Sequence, residues 1–473
     1  MDVDSAGRET IETLVRTTSG AEKVLARQDV ERIGSTLLGS ILRPADSGYD
    51  RCRRIFNAMI DRRPAMIVRC ATAGDVLHAV RFAREHDALV AVRGGGHGVA
   101  GKAVCDGGIL IDLSLMKGIR VDPASRTVRA EPGVRLVEFD RETQVFGLAT
   151  PTGLISNTGI AGLTLGGGLG WLNGKYGLAC DNVLSVDLVT ADGRFLTASA
   201  TENSDLFWGI RGGSGNFGVV TSFEYRLHPV GPVLSGMIAY AYEDARAFLR
   251  TALDVAADSS DELTAKPVLL TLPDSTPAAA VNLCYCGSLE RGERLVQRLR
   301  SFGTPVFDSV EPRSYVGLQS MLDAAVPLGH RHYWKSSFVK QPSPTAIEIM
   351  VDFMARKPSP MTFTYLQHAH GATVRVAPSE TAFSHRTESY DFAIISQWPD
   401  AADDERNVTW TRDFFEAMRP HVEQGVYVNN LGDEGEERVR AAYGPNYDRL
   451  VALKVKYDPT NFFCLNQNIR PLP

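Results

Sequence analysis

Glycine is concentrated in three stretches of the first half of the chain, and these stretches constrain the fold more than any other feature. They are residues 94–101, 153–177 and 209–218. Glycine lets backbone N–H groups approach a phosphate closely and adopts positive φ angles that other residues avoid. Any one stretch is equally compatible with turns in a strand-rich domain. Taken together, the stretches predict loops that line an extended, phosphate-containing molecule.

The first stretch contains a formal G-x-G-x-x-G pattern at Gly96, Gly98 and Gly101. A dinucleotide-binding fingerprint of this kind opens a helix whose N-terminus faces the pyrophosphate. Here the strand-like run Ile109 to Leu113 follows instead, and no Gly-Lys-Ser/Thr of a P-loop is present. The context therefore argues against both of these nucleotide-binding motifs and favours a ligand held by several loops.

Helical and strand-like patterns alternate around these stretches. Thr72 and Asp75 form a capping-box pattern that predicts a helix to His86. Asp192-Gly193 between two apolar runs predicts a β-hairpin. After Pro229 glycine becomes scarcer and strand-like runs alternate with helical ones, so we place a domain boundary near residue 231. The expected fold class is α+β.

Composition excludes several classes of function. The 473 residues are 44% hydrophobic and 22% charged with a net charge of -6, which lacks the basic excess that nucleic-acid binding requires. No run approaches the roughly 20 apolar residues of a membrane helix. The acidic and basic residues within 2–12 do not resemble a secretory signal, so we expect a cytoplasmic protein without a membrane or nucleic-acid partner. The seven cysteines form neither a disulfide framework nor a zinc pattern, and we expect no metal.

Several motifs, in the same order along the chain, resemble those of the FAD-linked oxidases of the berberine-bridge-enzyme type, within the vanillyl-alcohol-oxidase or PCMH-type flavoproteins. The resemblance runs from about residue 63 to 229 and returns between 426 and 473. The motifs that carry it are Arg93-Gly94-Gly95-Gly96-His97, Gly159 through Gly170, Lys175-Tyr176-Gly177-Leu178, Asp181-Asn182, Phe207-Trp208, Arg211-Gly212-Gly213, Asn216-Phe217-Gly218-Val219-Val220, Asn446-Tyr447-Asp448-Arg449-Leu450, Lys456-Tyr457-Asp458-Pro459 and Asn466-Gln467-Asn468-Ile469.

The resemblance implies a PCMH-type FAD-binding domain of two α+β subdomains and a substrate domain whose antiparallel sheet is covered by helices. We expect an N-terminal extension over residues 1–40, the FAD-binding domain over 41–230 and the substrate-binding domain over 231–435. Residues 436–473 are then a C-terminal segment that returns to the FAD domain.

The resemblance also implies that His97 bonds through its ring nitrogen to the 8α-methyl group of FAD; from the residues alone, a hydrogen-bonding loop histidine is the alternative. Many relatives add a bond from a cysteine, but Ile155 stands at that place, and neither Cys105 nor Cys180 takes over the role. We expect one covalent bond only. The expected cofactor-binding residues are Arg93, Gly94, Gly95, Gly96, His97, Gly98, Gly153, Thr158, Gly159, Gly162, Gly166, Gly167, Gly168, Gly218, Val219, Asn466 and Asn468.

The expected reaction is transfer of a hydride from a small alcohol, amine or secondary metabolite to FAD and then reduction of O2 to H2O2. By resemblance Thr158 lies near the oxygen-reactive carbon, and its short side chain leaves room for O2. Residues 426–430 read as an alternating strand that sends Tyr427 and Asn429 to one face. The resemblance implies that this face looks onto the flavin. We expect Tyr427 to accept or relay a proton and Asn429 to hold the substrate or ring; a buried structural tyrosine is the alternative.

Two other functions are compatible with the sequence. One is a dehydrogenase that passes electrons to a quinone or protein instead of O2. The other is a flavin-containing protein that sequesters a drug-like molecule without turnover, since a fold does not determine a function. Four residues of the expected substrate domain, Tyr365, His368, His370 and His385, are interpreted as structural rather than catalytic.

Overall fold

The computed structural model describes residues 13–258 and 260–472. Within these ranges the strands form three large sheets, and helices pack against them, which confirms the α+β class. Residues 1–12, on which the expectation about a secretory signal rests, lie outside the described residues. In the described part of the chain no helix is both long and apolar enough to cross a membrane.

The first sheet carries the first glycine loop at the end of one of its strands. Its strands are parallel except for the antiparallel edge strand at residues 40–42, and in spatial order they are Ser40–Leu42, Met66–Arg69, Ile109–Asp112 and Val90–Arg93. The predicted helix covers this sheet as Ala73–Glu85, and the Thr72 hydroxyl accepts the N–H of Asp75 at 3.2 Å. The Thr72 half of the predicted capping box is therefore confirmed, whereas the Asp75 carboxylate accepts the N–H of Ala71, at 2.8 Å.

The second sheet is antiparallel and holds the third glycine loop before one of its strands. In spatial order its strands are Phe195–Ser199, Val183–Val189, Val219–Arg226, Thr127–Ala130 and Ile119–Asp122. Gly193 has φ +73° in the turn between the first two of these strands, as the Asp-Gly hairpin prediction requires. Two smaller pairings are formed by Thr13–Arg16 with Glu22–Leu25 and by Leu148–Ala149 with His228–Pro229.

The third and largest sheet, called the large sheet here, is antiparallel and draws its strands from residues 233–398. In spatial order they are Phe307–Asp308, Val233–Ala241, Pro277–Tyr285, Leu263–Thr271, Phe363–Ala369, Ser389–Trp398 and Arg331–Val339, and Glu311–Arg313 also pairs with Val233–Ala241. One face packs on helices: its buried residues Leu283 and Phe392 belong to the same apolar cluster as Phe248 of the helix Ala245–Ala257. Because side chains alternate along a strand, the residues between these point to the opposite face.

Helices connect and cover the sheets. The α-helices in the described ranges are Arg27–Thr36, Tyr49–Arg53, Ala73–Glu85, Leu136–Gln144, Ile160–Leu165, Asn173–Tyr176, Ser204–Ile210, Ala245–Ala257, Leu289–Arg300, Tyr315–Gln319, Pro344–Ala355, Ala372–Arg375, Asp404–Met418, Glu436–Tyr443 and Tyr447–Tyr457. Short 3-10 helices lie at Ala179–Asn182, Ser214–Asn216, Tyr242–Asp244, Asp323–Ala325, Ala401–Asp403, Arg419–His421, Val428–Asn430 and Gly444–Asn446.

Candidate functional site

A cavity of about 940 Å³ lies between the glycine loops and the free face of the large sheet. All three glycine stretches and the C-terminal tail contribute to its wall. Of the residues predicted to bind the cofactor, those that line the cavity are Gly94, Gly95, Gly96, His97, Gly98, Gly153, Thr158, Gly159, Gly162, Gly218, Val219 and Asn466. The loops that the sequence places far apart therefore meet at one site.

Arg93 and Asn468 do not line this cavity. The Arg93 guanidinium is buried and pairs with the Asp112 carboxylate at 2.7 Å. It also donates a hydrogen bond to the backbone carbonyl of Cys52. Through these two contacts Arg93 holds the start of the first glycine loop in place, and its side chain does not line the cavity.

The glycine run at residues 166–168 also lies outside the cavity lining. A Cβ on Gly166 would lie 2.0 Å from the side-chain oxygen of Asn429, and a Cβ on Gly168 would lie 2.3 Å from the Cβ of Ala179. Gly167 and Gly168 have φ of +120° and +88°, which side chains rarely adopt. In the structure the glycines of this run, which have no side chain, allow Asn429 and Ala179 to pack directly against the backbone.

His97 lies on the cavity wall with its ring stacked on Phe56, at 4.0 Å between centroids and 14° between planes. Phe56 is stacked on its other side by His332, at 4.2 Å. Burial lowers the pKa of His97 to about 4, so its imidazole is neutral at physiological pH. Within the described residues its Nε2 is buried without a hydrogen-bond partner. The ring is therefore fixed in place, neutral and has an uncommitted nitrogen.

Ile155 and Thr158 both line the cavity. All seven cysteines lie in the described part of the chain, and none of them lines the cavity. Burial raises the pKa of Cys105 to about 12, which keeps that thiol protonated. No cysteine is therefore placed on the wall that carries His97.

The predicted strand at residues 426–430 is wrong: Val428–Asn430 forms a turn of 3-10 helix. The N–H of Asn430 donates to the carbonyl of Tyr427 at 2.9 Å, which closes the turn in place of a strand ladder. The turn nevertheless brings the two predicted side chains together, because the Asn429 amide donates to the Tyr427 hydroxyl at 2.8 Å. Both residues line the cavity.

The Tyr427 hydroxyl accepts hydrogen bonds from the N–H groups of Gly168 at 3.0 Å and Leu169 at 3.1 Å. Burial raises its pKa to about 12. The Asn429 amide also donates to the carbonyl of Leu163 at 3.0 Å. These bonds tie the turn to the second glycine stretch, and a neutral phenol held this way is suited to orient a ligand.

The C-terminal tail is joined to the third glycine loop through Asn216. Its side-chain amide donates to the carbonyl of Gln467 at 3.1 Å and accepts the N–H of Ile469 at 2.9 Å. The fully buried Lys454 ammonium donates to the Asn216 carbonyl at 2.9 Å and pairs with Asp458 at 2.6 Å. These contacts, which join Asn216, Lys454 and Asp458 to the C-terminal tail, are called the clamp here. The clamp holds the tail against the third glycine loop.

A polar cluster on the large sheet, which the sequence reasoning missed, lines the opposite wall. Asp391 is the only carboxylate among the described cavity-lining residues. It accepts hydrogen bonds from Asn430 at 2.8 Å, Ser336 at 3.2 Å and Tyr365 at 3.3 Å. Burial raises its pKa to about 6, so it is mostly ionised at neutral pH.

Lys266 is 5% exposed and belongs to the same wall. Its ammonium lies 3.6 Å from the centroid of the Tyr365 ring, a cation–π contact. Burial lowers the pKa of Lys266 to about 7. The sequence signal that could have revealed it is the position of Lys266 directly before the apolar, strand-like residues 267–272, because a lysine is almost never fully buried unless it is paired.

The chain's own groups fit a flavin dinucleotide. Backbone N–H groups of glycine loops suit its phosphates. The unpartnered Nε2 of His97 and the unpartnered buried side-chain oxygen of Asn466 offer polar atoms on the same wall. The volume is within the range of cofactor sites, about 300–1,000 Å³. In the described ranges no cluster of His, Cys, Asp or Glu is arranged to hold a metal ion.

Comparisons with known proteins identify the family of the chain and the class of its cofactor. Residues 64–199 match the model of the FAD binding domain, and residues 426–470 match that of berberine and berberine-like proteins. An FAD-linked oxidoreductase of Dictyostelium discoideum is 34% identical over 95% of this chain and 99% of that protein. The (R)-6-hydroxynicotine oxidase of Paenarthrobacter nicotinovorans is 33% identical over 92% of this chain and 97% of that protein.

Solved structures give the same result. The crystal structure of 6-hydroxy-D-nicotine oxidase from Arthrobacter nicotinovorans superposes with a TM-score of 0.85 at 32% identity, covering 92% of this chain and 98% of that one. A carbohydrate oxidase from Microdochium nivale shares the fold, with a TM-score of 0.81 at 24% identity over 94% of this chain and 100% of that one. The fold and the site define an FAD-dependent oxidoreductase with a PCMH-type FAD-binding fold. The chain belongs to the berberine-bridge-enzyme-like family of FAD-linked oxidoreductases.

Proposed function

We propose that the chain is an oxidase that transfers a hydride from a small organic molecule to covalently bound FAD and the electrons onward to O2, giving H2O2. The observation that carries the proposal is one cavity with two unlike walls. One wall is made of glycine backbone and His97, and the other is the polar cluster of Lys266 and Asp391. Bound FAD would supply the hydride acceptor and the site of reaction with O2.

His97 is the proposed attachment point, through a single bond to the 8α position of the flavin. Its neutral ring, its uncommitted Nε2 and its stacking on Phe56 suit a nucleophile that needs a fixed direction of approach. Ile155 on the cavity wall has no nucleophilic atom for a second bond. In this proposal residues 41–230 and 436–473 hold the cofactor, and 231–435 form the substrate side.

On the substrate side, Asp391 is the proposed proton acceptor. It faces the cavity as a carboxylate and has three hydrogen-bond donors that hold its position. A base whose pKa lies close to the working pH is the most effective acceptor for a substrate proton. Tyr427 and Asn429 are proposed to orient the substrate or the ring, since both line the cavity and are fixed by the second glycine stretch. Thr158, which lines the cavity, is proposed as the short side chain that leaves space for O2.

The proposal is tested by mixing the holo-protein anaerobically with a panel of alcohols, amines, sugars and phenolic or carboxylic ring compounds. The expected result is bleaching of the flavin absorbance by at least one class, then recovery in air with one H2O2 per molecule oxidised. Bleaching that recovers only with a quinone would establish a dehydrogenase instead. Stoichiometric binding with no bleaching would establish sequestration.

A further inference from the structure

Lys266 is unusual among the charged residues of the cavity because its ammonium has no direct hydrogen-bond or ion-pair partner among the described residues; burial lowers its pKa, and the more distant Asp391 carboxylate offsets this only in part. In the described part of the chain its ammonium makes no hydrogen bond and no ion pair within 4.0 Å; its contact is the ring of Tyr365. Asp391, by contrast, already accepts from three donors. A buried cation without an acceptor is costly, so a ligand that brings an acceptor is favoured at this point.

The neighbours of Lys266 on the large sheet include further polar atoms without hydrogen-bond partners. Asn282 is its register partner on one adjacent strand, and Gln367 is the register partner of Asp391. All four line the cavity. The side-chain oxygen of Asn282 and the side-chain nitrogen of Gln367 are buried without partners among the described residues. The sheet therefore presents a row of uncommitted polar atoms around one cation, which we call the polar row.

The next positions along the same strands are apolar. Leu270 lies four residues beyond Lys266 on its strand, and Phe363 lies opposite Ile395, which also pairs with Trp334. All of these line the cavity. One end of this wall therefore suits a charged or strongly polar oxygen, and the apolar stretch beyond it, which ends at the polar side chain of Gln397, suits an apolar body. A sugar, whose hydroxyl groups surround the whole molecule, would leave polar groups against these side chains.

We propose that the substrate of this site is a small apolar ring compound that carries one oxyanion, and that the ammonium of Lys266 binds this oxyanion. The oxyanion is the oxygen of a phenolate, an enolate or a carboxylate. The inference rests on the proposed function, since it names the class of molecule that the oxidase acts on. The oxyanion accepts from Lys266, with Gln367 as a second donor, and the ring lies against Leu270 and Phe363. A cationic amine is disfavoured beside Lys266, whose charge it would meet, and would be drawn instead towards the Asp391 carboxylate.

Binding is measured by calorimetric titration of the holo-protein with paired compounds that differ in charge. The titrations are run at about pH 6, where Lys266 carries its charge, and the pairs are 2,4-dinitrophenolate with 2,4-dinitroanisole and 2-naphthoate with 2-naphthamide; benzylamine and cellobiose represent the disfavoured classes. The anionic member of each pair is expected to bind at least about tenfold more tightly, about 1.4 kcal/mol. Equal affinities within the pairs, or no binding by either anion at millimolar concentration, would overturn the inference.

Variants separate Lys266 from a general effect of positive charge. Lys266→Met is expected to abolish the preference with an unchanged flavin content, and Lys266→Arg is expected to retain part of it. Lys102 also lines the cavity, but its ammonium is paired with Asp433 at 2.9 Å, so Lys102→Met is expected to keep the preference. A preference that survives in Lys266→Met overturns the inference. If the anions bind preferentially and yet no compound bleaches the flavin, the proposed oxidase function fails and the binding site stands.

Discussion

Replacement of Gly95 by alanine tests the contact between the first two glycine loops. A Cβ on Gly95 would lie 2.5 Å from both the Cα and the backbone nitrogen of Gly159, and a Cβ on Gly159 would meet Gly95 equally closely. These neighbours are backbone atoms, which cannot rotate away as a side chain can. Non-bonded carbon atoms settle at about 3.5–4.0 Å, so the loops would have to separate by about 1 Å.

Such overpacking costs about 1–3 kcal/mol. Because His97 lies two residues after Gly95, the same displacement moves the proposed attachment point. We expect Gly95→Ala to lower the free energy of unfolding by that amount and to reduce the fraction of protein that carries acid-stable flavin. The measurements are thermal denaturation followed by circular dichroism, and flavin absorbance of the acid-precipitated protein compared with total protein.

Gly231→Ala is the matched control, since nothing lies within 4 Å of its added Cβ. We expect its melting temperature and flavin content to equal those of the wild type. If Gly95→Ala also matched the wild type in both measurements, the reasoning about backbone contact between the loops would be refuted.

Three further predictions follow from single contacts. Tyr427→Phe removes the acceptor of three hydrogen bonds, from the N–H groups of Gly168 and Leu169 and from the Asn429 amide, each worth about 1 kcal/mol, and should slow stopped-flow flavin reduction roughly tenfold with unchanged flavin content; a wild-type rate would exclude a role for this hydroxyl. Asp391 loses its negative charge as the pH falls through about 6, so the reduction rate should drop there, whereas Asp391→Asn should be slower by about 100-fold and show no such step; an unchanged pH profile in the variant would assign the step to another group. Lys454→Met leaves the buried Asp458 without its cation and should destabilise the fold by about 3–5 kcal/mol in denaturant unfolding; a loss below 1 kcal/mol would contradict the clamp.

Local features of the fold were predictable from the sequence because their causes are local. The helix that begins after Thr72 needs only its cap and apolar face, and the hairpin at Gly193 needs only a residue that accepts positive φ. The turn at 428–430 was not predictable in this way. Its alternating pattern fits a strand, but the Asn429 amide donates to the Leu163 carbonyl, so a tertiary contact outweighs the local preference.

The two walls of the site also differ in how far they could be predicted from the sequence. The glycine wall could be predicted because the motifs of each loop are contiguous and resemble those of a known family. The polar row could not, because it joins Lys266, Asn282, Gln367 and Asp391 across strands that lie far apart in the sequence. The run at 166–168 shows the limit of the glycine argument, since Gly166 is needed for the close approach of Asn429.

The central claim is the single covalent bond between His97 and FAD, and mass spectrometry of a proteolytic digest tests it most directly. The account predicts that the flavin stays with the acid-precipitated protein, that its mass is found on the peptide that contains His97 and on no cysteine peptide, and that His97→Ala releases its flavin into the supernatant. Complete release of flavin from the wild-type protein, or flavin attached to a peptide that carries Cys105 or Cys180, would contradict it.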